Sequence, residues 1–91
     1  MDGVTLYSTR LCGFCSRAKA LLLAKGVEFT EVGLDDDPEA RQALMKRTGQ
    51  RTVPQIFVGD VHVGGFRELA TLDQRGGLDA LLDTHGIDYS D

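Results

Sequence analysis

Cysteine is scarce in this sequence, and the shortage excludes more than any other feature of the composition. Only Cys12 and Cys15 occur in 91 residues. Two cysteines this close cannot staple a small secreted fold, which takes several bridges spread along the chain. A structural zinc site takes four ligands, and His62 and His85 stand far from the pair and from each other. Positive charge is also short, with 10 Lys and Arg against 14 Asp and Glu. No basic stripe interleaved with aromatics is present, so no nucleic-acid groove is expected. No apolar run approaches the roughly 20 residues that cross a bilayer. A strand pattern begins almost at once and leaves no room for the segments of a secretory leader. Repeats and low-complexity segments are missing as well. The expectation is one domain over residues 1–91, soluble, in a reducing compartment such as the cytoplasm.

What the chain does have is the stretch Leu6-Tyr7-Ser8-Thr9-Arg10-Leu11-Cys12-Gly13-Phe14-Cys15. An apolar strand run ends at Tyr7, a short polar loop follows, and the first cysteine falls where a helix begins. Phe14, Ala18, Leu21 and Leu22 repeat at the spacing of a buried helix face. Cys12 therefore belongs at a helix N-terminus, among unpaired N–H groups and the positive end of the dipole, where a thiolate is stabilised. Cys15 lies about one turn on, within reach of a disulfide. Strand, loop, Cys-x-x-Cys and helix together read as a redox dithiol, against the plainer reading of two inert thiols.

Taken in order, Val4–Tyr7 alternates as a first strand, and a helix follows from about Gly13 to Lys25, with Gly26 as a left-handed cap. Residues 27–32 alternate as a second strand, parallel to the first because a helix intervenes. Asp37-Pro38 is a helix start, with Asp as N-cap and Pro in the first turn. That helix runs to about Thr48, with Ala40, Leu44 and the stem of Arg47 toward the sheet. Asp35-Asp36-Asp37 has too few oxygen ligands for a calcium loop and reads as a solvated turn. Gln55–Val58 and Val61–Val63 are separated only by Gly59-Asp60, which makes them an antiparallel hairpin. Two short helices close the chain, one carrying Phe66, Leu69 and Leu72, the other Leu78, Leu81 and Leu82.

Three motifs give this sequence a resemblance to the glutaredoxin family across nearly its whole length. They are Cys12-Gly13-Phe14-Cys15, Thr52-Val53-Pro54-Gln55-Ile56-Phe57 and Gly64-Gly65-Phe66-Arg67-Glu68-Leu69. The resemblance implies an α/β thioredoxin-like fold, with a four-stranded mixed sheet in order 2-1-3-4 and helices on both faces. It implies glutathione as cofactor, glutathionylated or disulfide-containing proteins as partners, and a cis peptide before Pro54. Cys12 is implied as nucleophile and Cys15 as its resolving partner. Thr52, Val53 and Pro54 are implied to meet the backbone of glutathione. Gly65, Phe66, Arg67 and Glu68 are implied at its γ-glutamyl end, with Glu68 receiving the amino group. Arg67 stands where the family more often has a small or acidic residue; it either adds to anion binding or is solvated. Gln50 is implied at the glycyl carboxylate. A family lysine just before the first cysteine is replaced here by Thr9, and Arg10 beside it either takes over that carboxylate or does not.

The resemblance carries an alternative, a [2Fe-2S] carrier. Gly13 stands where dithiol members usually have proline and cluster-binding members often have glycine. An iron–sulfur centre takes four thiolates, so the implied set is Cys12 and glutathione from each of two copies. The expectation is a monomer without cluster and a homodimer with one.

Overall fold

In a computed structural model, which describes residues 3–90, the first alternating run forms β1 (Val4–Ser8), with Val4, Leu6 and Ser8 buried. Met1, Asp2 and Asp91 of the expected domain lie outside the described residues. In chain order there follow α1 (Gly13–Ala24), β2 (Phe29–Gly33), α2 (Pro38–Thr48), β3 (Gln55–Val58), β4 (Val61–Gly64), α3 (Phe66–Gln74) and α4 (Gly77–Thr84). The four strands make one sheet in order β2-β1-β3-β4, as expected. β1 and β2 are parallel, while β3 runs antiparallel to both β1 and β4. Pairing slips by one residue between Ile56–Gly64 and Phe57–His62, so Val63 is an extra residue on β4.

Side chains alternate across the sheet, and each face has its own core. Leu6, Ile56 and Val58 meet Ala18 and Leu22 of α1, Leu69 of α3, and Leu78 and Leu82 of α4. Phe57 points the other way and packs with Leu34 and Leu44 under α2, with Tyr7 and Val53 beside them. Arg47 lies on this second core, its guanidinium carbon 4.3 Å from the Phe57 ring centroid. The Asp37 carboxylate accepts the Ala40 N–H at 3.0 Å and caps α2, and Pro38 fills the first turn.

Two expectations are corrected. The second strand starts at Phe29 rather than Val27. The Val27 N–H instead donates to the Leu22 carbonyl and the Gly26 N–H to that of Leu23, each at 3.0 Å. That pair of bonds closes the end of α1 around the left-handed Gly26, so Val27 belongs to the helix cap. Phe14, placed by its spacing on the buried face, is 58% exposed. It sits in the first turn of α1, where its ring stacks on Phe66 with centroids 6.2 Å apart.

At the C-terminal end of α1, Lys25 holds three helices together. Its Nζ lies 2.8 Å from Asp73 at the end of α3 and 2.7 Å from Asp79 at the start of α4. Hydrogen bonds that its ammonium donates to Asp73, then to Asp79, hold its pKa well above the ordinary lysine value despite the cost of burial.

Candidate active site

The loop from β1 to α1 delivers Cys12 as the N-cap of the helix, with extended backbone at φ −143° and ψ 104°. Its sulfur accepts the Cys15 N–H at 3.1 Å, one of the amides that a helix start leaves without an internal partner. Cys12 is half-buried, whereas Cys15 is 1% exposed. Their Cα atoms are 5.2 Å apart and the sulfurs form a disulfide. The asymmetry follows from helix geometry: the cap residue stands at the surface, and one turn on the side chain points into the sheet.

The loop before β3 faces the pair. The Val53–Pro54 peptide is cis, and the Val53 carbonyl oxygen lies 3.7 Å from the Cys12 sulfur. Gln55, itself buried, fixes this loop: its Nε2 donates to the carbonyls of Gln50 and Thr52, each at 3.0 Å. A groove of about 540 Å³ runs from Phe14 along Thr52, Val53 and Pro54 to Gly65, Phe66, Arg67 and Glu68. At its far end the Glu68 carboxylate accepts the Gly65 N–H at 2.8 Å and caps its own helix. Gly64 is required there, since its φ is +120° and a Cβ would meet the Glu68 Cγ at 3.0 Å.

Gln50 lines a second groove of about 440 Å³, between the same loop and α2. Arg41 and Arg51 line it too, and sequence reasoning missed both. Arg51 adjoins Gln50, and Arg41 shares the face of α2 that carries Leu44 and Met45, three and four residues on. Arg10 is brought to neither groove. Its backbone N–H donates to the Asp35 carboxylate at 3.1 Å, and its guanidinium lies 3.7 Å from Asp35 and 3.8 Å from Asp36.

Behind the disulfide lies a cavity of about 410 Å³ that both cysteines line, together with Ser8, Lys19 and Glu31. The Ser8 hydroxyl donates to Glu31 at 2.7 Å and the Lys19 ammonium at 3.0 Å. These two bonds, that from Ser8 the larger, hold the Glu31 carboxyl below the usual carboxylate range against partial burial.

A half-buried cysteine capping a helix, a buried partner one turn on, and this sheet order define a thiol–disulfide oxidoreductase of the thioredoxin-like class. Comparison with known proteins narrows the class. The family model described as Glutaredoxin matches residues 4–63. Glutaredoxin 3 of Escherichia coli (strain K12) is 49% identical over 82 residues, spanning 90% of this chain and 99% of that protein. The crystal structure of a buckwheat glutaredoxin–glutathione complex superposes with a TM-score of 0.85 at 33% identity, covering 92% of this chain and 79% of that one. The holo form of glutaredoxin C1 from Populus tremula x tremuloides also gives 0.85, at 32% identity, over 98% of this chain and 83% of that one. The chain belongs to the glutaredoxin family and is a glutathione-dependent thiol–disulfide oxidoreductase. Among the described residues no helix is long and apolar enough to cross a membrane.

Proposed function

We propose that this chain reduces protein–glutathione mixed disulfides through Cys12 alone, and disulfides within proteins through Cys12 and Cys15 together. The observation that carries this is the division of the pair, with one sulfur half-buried, 3.7 Å from the carbonyl of Val53, a residue that lines the 540 Å³ groove, and the other 1% exposed one turn on. The Cys12 thiolate attacks the glutathione sulfur of a mixed disulfide, and the protein leaves as a thiol. A second glutathione thiolate then attacks glutathionylated Cys12, releasing glutathione disulfide and restoring the thiolate. With a protein disulfide, Cys15 attacks the sulfur of Cys12 and expels the substrate's second thiol. A cytoplasmic, glutathione-rich setting suits a protein whose two cysteines are both spent on the redox pair. Coupling turnover to glutathione reductase tests the reading. Reduction sustained equally well by a thioredoxin reductase without glutathione would contradict it.

The bound tripeptide would lie in the 540 Å³ groove. Its γ-glutamyl carboxylate would meet the N–H groups at the start of α3, where the helix dipole favours an anion. Thr52, Val53 and Pro54 line its middle. At the glycyl carboxylate we assign Gln50 with Arg41 and Arg51, the cations that line the adjoining groove. Single Arg41→Ala and Arg51→Ala variants should raise KM for a glutathione mixed disulfide, by about tenfold if 1.4 kcal/mol is lost, with kcat nearly unchanged. A rise in Arg10→Ala, with none in the other two, would return the role to Arg10.

Cluster binding is a second reading. Among the described residues no three His, Cys, Asp or Glu side chains are grouped to hold a metal ion. One copy therefore does not fit a [2Fe-2S] centre, which takes four ligands; two copies would each contribute Cys12 and a bound glutathione. Gly13 favours this reading because a Cβ there meets nothing within 4 Å, so space does not dictate glycine. Gly13 is also the first residue of α1, the helix position that best accepts proline. Gly13→Pro should keep the melting temperature and the reductase activity and weaken any cluster reconstituted anaerobically with glutathione. Equal cluster yield in both proteins would remove Gly13 from the account.

A further inference from the structure

We infer that Gln55 is a positioning residue for glutathione: from beneath the loop over residues 50–53 it holds that loop in the shape that binds. The inference deepens the seating of the tripeptide proposed above and rests on it. The loop carries much of the site. Gln50, Arg51, Thr52 and Val53 line the groove of about 440 Å³ beside α2, and Thr52 and Val53 also line the one of about 540 Å³. Yet among the described residues no backbone-to-backbone hydrogen bond is made by residues 50–53. Helix α2 ends at Thr48, and the pairing of β3 with β1 begins only at Gln55. A segment with neither ladder nor helix bonds has many backbone states, and a ligand that must order it binds more weakly for that reason.

Side chains take the place of the missing ladder. The Gln55 Nε2 donates to the carbonyls of Gln50 and Thr52, each at 3.0 Å, so one amide group ties the loop at two points. Thr48 adds a lesser tether, its hydroxyl oxygen accepting the Gln50 N–H at 3.1 Å. Packing does not call for a glutamine at position 55. The residue is 1% exposed, and its Oε1 is buried with no partner among the described residues. A buried unpaired carbonyl is a cost that an apolar side chain of similar length avoids. Phe57, two residues on and therefore on the same face of β3, meets that core with an apolar ring. What the glutamine alone supplies is the pair of donated bonds, and both go to the loop. Gln50 and Thr52 are exposed, so their carbonyls would find water if released, and the fold does not depend on the tie. Gln55 touches no substrate and moves no proton; it acts through the residues it holds.

The test is Gln55→Met, which keeps the length of the side chain and removes the donors and the unpaired acceptor together. Its melting temperature should be no lower than that of the wild type. KM for a glutathione mixed disulfide should rise about fivefold with kcat changed by less than about twofold, as expected if the released loop holds its binding shape for about a fifth of the time. Brief trypsin treatment of the folded protein reads the loop without any ligand. Cleavage after the exposed Arg51 should speed up several-fold, and cleavage after Arg41, inside α2, should not. Thr48→Val, which removes the lesser tether, should move both readings in the same direction by a smaller amount. An unchanged KM in Gln55→Met, an equal rise in cleavage at Arg41 and Arg51, or a protein that does not fold would overturn the inference and leave Gln55 a residue of the fold. The arginine variants separate the two layers. If Arg41→Ala and Arg51→Ala raise KM and Gln55→Met does not, only this inference fails. If none of the three raises it, the seating of glutathione in these grooves fails as well.

Discussion

Cys12→Ser is expected to abolish reduction of glutathione mixed disulfides and protein disulfides alike, while Cys15→Ser should lose only the second. The loss in Cys12→Ser should exceed roughly 10³-fold, since a serine hydroxyl is no substitute for a thiolate in disulfide exchange. Cys15→Ser should keep roughly half or more of its rate on a small mixed disulfide, because that cycle never uses the buried sulfur. The geometry sets the direction of the difference. Cys12 caps α1 and receives the Cys15 N–H at 3.1 Å, a contact that favours its charged form. Reduced Cys12 should accordingly ionise below the free-cysteine value of about 8.5, and Cys15 should not. Thiolate absorbance against pH in the two single-cysteine variants reads both values. If Cys15→Ser lost mixed-disulfide activity as completely as Cys12→Ser, the buried thiol would be obligatory and the surface-thiol cycle would be wrong.

Lys25→Met should cost about 1.5–3 kcal/mol, between the values for exposed pairs and for fully buried pairs missing one partner. For a domain this small that is a fall in melting temperature of roughly 6–24 °C. The substitution keeps the length of the side chain and removes the cation. Asp73 and Asp79 are then left side by side with no charge between them. Alkali should reproduce part of the effect in the wild type. The folded-state pKa of Lys25 lies above its unfolded value, so the contribution is complete below the unfolded pKa. It is lost as pH rises through the folded one. Glu31 works in the other direction: its folded pKa is depressed, and its contribution is lost as pH falls below the usual carboxylate range. A Lys25→Met protein that melts with the wild type would show that the three helices need no such tie. Activity per folded molecule should be unchanged in that variant, because the tie lies at the opposite end of α1 from the cysteines.

The parts of this molecule that could be read before its structure were those decided locally. Asp37-Pro38 announces its helix because the cap and the first-turn proline act within a few residues. Gly59-Asp60 forces an antiparallel hairpin because two residues cannot carry a crossover. The sheet order came from the likeness of three motifs, not from periodicity. Val27 was misplaced because alternation cannot tell a strand's first residue from the last contact of a helix cap. Phe14 was misplaced because helical spacing gives a face but not where the neighbouring sheet ends. Arg41 and Glu31 were missed as neighbours of the site for a different reason. Each reaches it across the fold, Arg41 from α2 to the loop at Gln50 and Glu31 from β2 to the cavity behind Cys15. Such meetings depend on how strands and helices pack, which short sequence windows do not record. Arg10 shows the converse: adjacent to the cysteine loop in sequence, it is drawn to Asp35 and Asp36 by charge.

The most direct test of the central claim, that Cys12 is the thiol that accepts glutathione, is a mass measurement on the two single-cysteine proteins. Each is reduced, exposed briefly to glutathione disulfide near neutral pH, quenched with acid and digested. The account predicts that Cys15→Ser gains one glutathionyl group, carried on the peptide containing Cys12, within the time of a few turnovers. It predicts that Cys12→Ser gains none in that time, because its remaining thiol is buried and protonated. Prompt glutathionylation of Cys15 in Cys12→Ser, or its failure at Cys12 in Cys15→Ser, would contradict the assignment of nucleophile.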